Sequence, residues 1–145
     1  MKSIPTMKTV MTPFPHFIES SKNIGEARVM MSEYDIRHLP VTEKGKLLGI
    51  VSERDITLAF SLGQHVLDEE KILVGDICKK DPYAVGPEEK LDKVLIKMAE
   101  KHIGSVIVEK NEKPIGIFTT TDACEYFGEF LQSFFDSENL EDQLK

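Results

Sequence analysis

Gly49-Ile50-Val51-Ser52-Glu53-Arg54-Asp55-Ile56 returns 67 residues later as Gly116-Ile117-Phe118-Thr119-Thr120-Thr121-Asp122-Ala123. Followed outward, that register lays Val10 to Ile56 over Ile77 to Ala123 without a gap across 47 positions. The nine identities are Pro15/Pro82, Met31/Met98, Glu33/Glu100, Ile36/Ile103, Val41/Val108, Lys46/Lys113, Gly49/Gly116, Ile50/Ile117 and Asp55/Asp122. Ordinary residue usage would give roughly three. Apolar positions between them also match: Ile18/Val85, Ile24/Leu91, Ala27/Val94 and Leu48/Ile115. Each copy is too small to bury a core alone. The pair therefore predicts a pseudo-twofold module with equivalent sites in its cleft.

Around the repeated stretch, each copy reads as the same run of elements. It opens with an apolar residue, a turn and a short strand, Val10 to Ile18 and Ile77 to Val85, where the shared proline favours an extended entry. A helix follows, with Ile24, Ala27, Met30 or Met31 and Ile36 near helical spacing, matched by Leu91, Val94, Leu95 and Met98. Ser20 or Ser21 is expected to cap the first helix, and Pro87-Glu88-Glu89 to start the second. Short β-rich runs then flank the polar turns Glu43-Lys44-Gly45-Lys46 and Lys110-Asn111-Glu112-Lys113, a hairpin signal. Each hairpin ends in a hydroxyl residue with an acid three positions on, Ser52/Asp55 and Thr119/Asp122, the pattern of a capping box.

The bulk numbers exclude several classes. The chain has 145 residues, 41% of them apolar, and a net charge of −7. That charge argues against a broad grip on nucleic acid, although a local basic pocket remains compatible with it. Apolar stretches are far too short for a membrane span, and Met1-Lys2-Ser3-Ile4-Pro5 lacks a signal core. A cytoplasmic protein is expected. The four histidines and two cysteines show no metal-ligand spacing, and Cys78, aligned with Met11, reads as a buried apolar residue. No Walker-type loop, Gly-x-Gly-x-x-Gly or nucleophile elbow is present, and no catalytic residue is assigned.

Strand–helix–hairpin–helix in tandem, closed twice by Gly-apolar-x-[Ser/Thr]-x-x-Asp, resembles a pair of CBS domains, the Bateman module. Met11-Thr12-Pro13, Ile36 to Val41, Gly49 to Ile56, His102 to Val108 and Gly116 to Asp122 carry the likeness, which covers about residues 8 to 127. It implies an α/β (α+β) fold: two tandem β-α-β-β-α repeats packed about a pseudo-twofold axis, plus a C-terminal amphipathic helix. The expected divisions are repeat 1 at 1–62, a polar linker at 63–75, repeat 2 at 76–127, and a helix with an acidic tail at 128–145.

The resemblance further implies a stand-alone regulatory module that is not an enzyme. Its clefts would bind an adenosine ligand such as AMP, ADP, ATP or S-adenosylmethionine, with no cofactor required. Asp55 and Asp122 would anchor the ribose hydroxyls, with Ser52 and Thr119 beside them. A carboxylate suits two vicinal hydroxyl donors because it only accepts hydrogen bonds. Arg54, Arg37 and His38 are the phosphate candidates of copy one. Thr121, Gly104 and Ser105 stand at those places in copy two, so unequal clefts are expected unless a cation crosses from the other repeat.

The plainer alternative makes both acids helix caps and leaves the clefts empty. Function would then reside in Phe127, Phe130, Leu131, Phe134 and Phe135, one apolar stripe at helical spacing. That stripe either packs on its own core or forms an interface; a homodimer contact is favoured, and docking of another protein partner would fit the stripe equally. The acidic end beyond it, from Asp136 onward, is expected to fray.

Overall fold

A computed structural model describes residues 3–13, 16–62 and 70–144, with the backbone alone for 62 and 137–142. In it, each Gly-apolar-x-hydroxyl stretch is a strand that runs directly into a helix. The first copy comprises helix α1 (Met7–Val10), strands β1 (Thr12–Pro13) and β2 (Ile18–Glu19), and helix α2 (Ile24–Tyr34). Strands β3 (His38–Glu43) and β4 (Lys46–Ser52) and helix α3 (Glu53–Leu62) complete it. The second copy is α4 (Val74–Ile77), β5 (Lys79–Lys80), β6 (Ala84–Val85) and α5 (Leu91–Lys101), then β7 (Ser105–Lys110), β8 (Lys113–Thr119) and α6 (Thr120–Gln143). Element starts repeat at the offset of 67 to within one residue. Both hairpins turn through two residues of positive φ, Lys44-Gly45 and Asn111-Glu112, which matches the right-handed twist of the strands.

Two helix starts differ from the expectation. Asn23, not Ser20 or Ser21, caps α2: its side chain accepts from the Glu26 N–H at 2.9 Å, while Glu26 accepts from the Asn23 N–H at 3.1 Å. A full capping box outcompetes a lone hydroxyl further out. Helix α5 begins at Leu91, after Pro87 and Glu88 have formed a turn. Its first N–H is satisfied from elsewhere, by the Pro5 carbonyl at 2.9 Å.

That bond belongs to an exchange between the repeats. Strand β1, ahead of the first copy, pairs antiparallel with β8, and β5, ahead of the second, pairs with β4. The two sheets therefore run β2-β3-β4-β5 and β1-β8-β7-β6. Three backbone bonds fix each exchanged segment: Met7 N–H to Glu89, Lys8 N–H to Pro87 and Leu91 N–H to Pro5 on one side. Val74 N–H to Lys22, Gly75 N–H to Ser20 and Ile24 N–H to Ile72 are their counterparts. The two cores follow the exchange and not the order of the chain. Val74 and Cys78 lie in the core of Ile24, Ala27, Leu39, Val41 and Val51, while Met7 lies in that of Leu91, Val94, Val106, Val108 and Phe118. Cys78 is buried, in keeping with its alignment to Met11.

The C-terminal stripe does not fold back on either core. Tyr126 and Ala123 pack inward, but Phe127, Phe130, Leu131, Phe134 and Phe135 are 38–59% exposed. Neighbouring rings stack along the helix, Phe127 on Phe130 and Phe130 on Phe134. The acidic end, expected to fray, is helical through Gln143. Residues 63–69 of the expected linker lie outside the described residues. Among the described residues no helix is long and apolar enough to cross a membrane.

The exchange explains why glycine recurs at Gly49 and Gly116. A Cβ on Gly49 would overlap the Lys79 carbonyl oxygen of the crossing strand, with Cys78 Sγ at 3.2 Å. A Cβ on Gly116 would overlap the Met11 side chain, whose flexible thioether can give way more readily than a backbone carbonyl. Gly49→Ala is therefore expected to destabilise by roughly 1–3 kcal/mol, and Gly116→Ala by less. Urea unfolding midpoints of the two variants test the order, and equal midpoints would show that the crossing strand yields.

Candidate functional site

At the ends of β4 and β8 the repeated hydroxyl–acid pairs form reciprocal caps. The Ser52 N–H donates to Asp55 Oδ2 at 2.9 Å, and the Asp55 N–H donates to Ser52 Oγ at 3.0 Å. Thr119 and Asp122 repeat this at 2.8 and 3.3 Å, and the Thr119 hydroxyl adds a bond to Asp122 Oδ2 at 3.1 Å. Both acids thus cap helices. The caps engage only Oδ2, so the second oxygen of each carboxylate takes no part in them.

Asp55 faces a cavity of about 820 Å³. Ligand cavities generally span roughly 300–1,000 Å³. The first repeat lines it with His38, Ile50, Ser52, Arg54 and Asp55. From the second come Lys79, Asp81, Tyr83, Lys97, Lys101 and Ser105, among others. Five of the expected site residues, Asp55, Ser52, Arg54, His38 and Ser105, therefore meet in one place.

The remaining three lie elsewhere. Arg37 lines a separate cavity with Arg28, Asp35 and Glu53, and its guanidinium is 3.9 Å from the Glu53 carboxylate. Asp122 and Thr119 sit at the pseudo-equivalent position; Phe14 and Pro15, which align with Asp81 and Pro82, lie outside the described residues. Where Tyr83 and Lys101 stand in the first cleft, the repeat places His16 and Tyr34, whose rings stack at 3.7 Å. Cations sought within Asp55's own repeat do not include Lys79, Lys97 and Lys101. Their signal was available in the alignment, because Thr12, Met30 and Tyr34 occupy the matching places.

Burial lowers the pKa of His38, the nearby Asp55 carboxylate raises it, and Arg37 lowers it further. The net shift favours the neutral imidazole, which can both donate and accept. Burial also raises the Tyr83 phenol, with Glu89 adding to the shift. Lys97 Nζ lies 4.8 Å from the centre of the Tyr83 ring, within cation–π range. The cleft thus combines apolar walls (Ile50, Ile107, Tyr83), a carboxylate acceptor and several cations. Such a set can hold a flat apolar group, a pair of hydroxyls and an anion together. Among the described residues no cluster of His, Cys, Asp or Glu could hold a metal ion.

Known proteins share this architecture. The CBS domain family matches residues 7–62 and 74–129. The structure of a candidate acetoin utilization protein (AcuB) from Vibrio cholerae is similar with a TM-score of 0.81 at 26% identity, over 92% of this chain and 98% of that one. The CBS domain pair of protein MJ0100, in complex with 5′-methylthioadenosine and S-adenosyl-L-methionine, gives 0.78 at 28% identity, over 88% and 98%. The L-aspartate semialdehyde sulfurtransferase of Methanocaldococcus jannaschii is 30% identical over 131 residues, which are 88% of this chain and 24% of that protein. Inosine-5′-monophosphate dehydrogenase of Korarchaeum cryptofilum is 34% identical over 106 residues, 72% of this chain and 21% of the enzyme. The chain spans about a quarter or less of those two relatives. With both of its repeats matched, this chain belongs to the CBS domain family.

Proposed function

We propose that this chain is a cytoplasmic, non-catalytic regulatory module that binds an adenosine-type ligand in the cleft between its repeats. The observation that carries the reading is Asp55: a carboxylate with one oxygen outside its cap, facing a ligand-sized cavity that both repeats wall. The ribose hydroxyls would donate to Asp55, with Ser52 and Ser105 beside it, and Arg54 and the lysines would face any phosphate. His38 supplies a neutral donor–acceptor. The adenosine compounds bound to the MJ0100 pair support the class of ligand. Asp122 and Thr119 form the second candidate anchor, and Arg37 is a further phosphate candidate outside the Asp55 cavity.

A ligand held between the repeats acts as a signal only if it binds one arrangement of them more tightly than another. The reader of that signal would be a regulated protein or a second copy of this chain. The exposed phenylalanine stripe favours a further reading, in which α6 makes a homodimer contact or docks a partner. The divisions at 1–62, 63–75, 76–127 and 128–145 describe the sequence units in this reading, with the last unit serving association.

Three outcomes are expected. Asp55→Asn keeps an acceptor for the cap but loses the charge and one acceptor, so adenosine-ligand affinity should fall roughly 10- to 100-fold in calorimetry, with the melting temperature retained. Full affinity in this variant, in Asp122→Asn and in the double variant would exclude both acids as anchors. The His38 midpoint, followed by NMR, should lie below the ordinary 6.5, and Asp55→Asn should lower it further because the carboxylate is what raises it. With the folded value depressed, the stability that His38 contributes is complete above the ordinary histidine range and is lost as pH falls toward the folded midpoint. Truncation after Gly128 should abolish any dimer seen by sedimentation while ligand binding persists. A dimer that survives the truncation would move the contact elsewhere.

A further inference from the structure

We propose that the Asp55 cleft selects ligands that carry phosphate, and discriminates against the sulfonium compound S-adenosylmethionine. The proposal rests on the adenosine reading above and narrows its ligand class. Four cationic side chains, Arg54, Lys79, Lys97 and Lys101, line the cavity against two carboxylates, Asp55 and Asp81. This excess sits in a chain whose net charge is −7. A positive cavity on an acidic protein is a local feature and not the spill-over of a basic surface.

The four cations converge from separate elements. Arg54 comes from the first turn of α3, Lys79 from the exchanged strand β5, and Lys97 and Lys101 from one face of α5, one turn apart. Among the described residues none of the four has a carboxylate within salt-bridge distance, in contrast to Arg37 with Glu53 and Lys46 with Glu112. Their charge is therefore not cancelled by a local partner. Lys97 is held over the Tyr83 ring at 4.8 Å, which keeps its ammonium at the cavity wall.

The repeat supplies an internal control. The matching positions of the first copy's Arg54 and of the second copy's Lys79, Lys97 and Lys101 hold Thr121, Thr12, Met30 and Tyr34. The same backbone thus places four cations around one anchor and none of these four around the other. The fold does not require positive charge at these places. A ligand group of negative charge does.

Adenosine compounds differ in what they bring to such a cleft. A nucleoside triphosphate brings several anionic oxygens, each able to take a charge-assisted bond. Adenosine and methylthioadenosine bring no charge. S-adenosylmethionine brings a sulfonium and an ammonium against a single carboxylate, so it meets like charge. The expected order of affinity is ATP above AMP, AMP above adenosine, and S-adenosylmethionine no tighter than adenosine. Because the lysines are exposed, the preference should shrink as salt rises.

The test is calorimetry on the nucleotide-stripped chain with ATP, AMP, adenosine and S-adenosylmethionine, at low and at high salt. It is repeated on the double variant Lys97→Met with Lys101→Tyr, which carries the first repeat's own residues, after its melting curve confirms folding. A preference for ATP over adenosine of roughly tenfold or more is expected. It should be reduced by salt and largely lost in the double variant. Binding of S-adenosylmethionine as tight as ATP would overturn the proposal, as would a preference that survives the lysine replacements. Inorganic tripolyphosphate separates this proposal from the reading beneath it. If it raises the melting temperature of the wild type but not of the double variant while no adenosine compound binds, the phosphate assignment stands and the adenosine reading falls. Adenosine binding without any gain from phosphate keeps the adenosine reading and overturns the phosphate assignment. No response to any probe removes both.

Discussion

Everything in this molecule hangs on two short edge strands that pair with the wrong repeat. Strand β5 completes the sheet of the first copy and β1 that of the second. Each brings a small helix with it, and the helix delivers a buried side chain, Val74 or Met7, to the opposite core. Neither copy can finish its sheet or its interior from its own stretch of sequence. Joined in this way, two units below the size that folds readily become one cooperative body. Backbone bonds from α1 and α4 reinforce the exchange by accepting or supplying groups that helix starts would otherwise leave unpaired.

The same exchange builds the cleft. Because β5 crosses to β4, the chain that follows it, Asp81 to Ala84, passes in front of the first repeat's anchor before entering β6 in the other sheet. Lys79 and Tyr83 reach the Asp55 cavity by this path, and α5 supplies Lys97 and Lys101 from the side. A cavity walled by both repeats is sensitive to their relative position. Small displacements between the sheets change the distance from carboxylate to lysine directly, so a ligand that spans both has leverage over the interface.

What was legible in the sequence was whatever depends on local backbone physics. Positive φ at Lys44/Gly45 and Asn111/Glu112 belongs to two-residue turns, and those turns were visible as polar breaks between β-rich runs. The reciprocal caps at Ser52/Asp55 and Thr119/Asp122 were visible as spacing alone. The start of α2 was misplaced because Asn23 with Glu26 forms the better cap, and spacing from the apolar run did not weigh it. The lysines escaped for a different reason. They belong to the second repeat in sequence and to the first repeat's anchor in space, and only the crossing of β5 and the packing of α5 join the two. Periodicity cannot report which sheet a two-residue strand will choose.

The Asp55 cavity and the Asp122 cap are linked through the second sheet. Ser105, in the wall of the Asp55 cavity, lies directly across the β7–β8 ladder from Thr119, and Thr119 donates two hydrogen bonds to the carboxylate of Asp122. His38 is paired across β3–β4 with Ser52, the partner of Asp55, and all three line the same cavity. The Ser105–Thr119 pairing therefore sets a lining residue of the Asp55 cavity one strand away from the Asp122 cap. The backbone positions at that junction are held fixed by the exchange, by the glycines that admit it and by the caps. Apart from the capping pair Ser52 and Asp55, side chains on the wall of the Asp55 cavity carry none of those duties. They are free to diverge, as lysine against methionine, tyrosine and threonine, without disturbing the scaffold. The two repeats thus agree where the chain must pack and differ at the cationic positions that wall the Asp55 cavity.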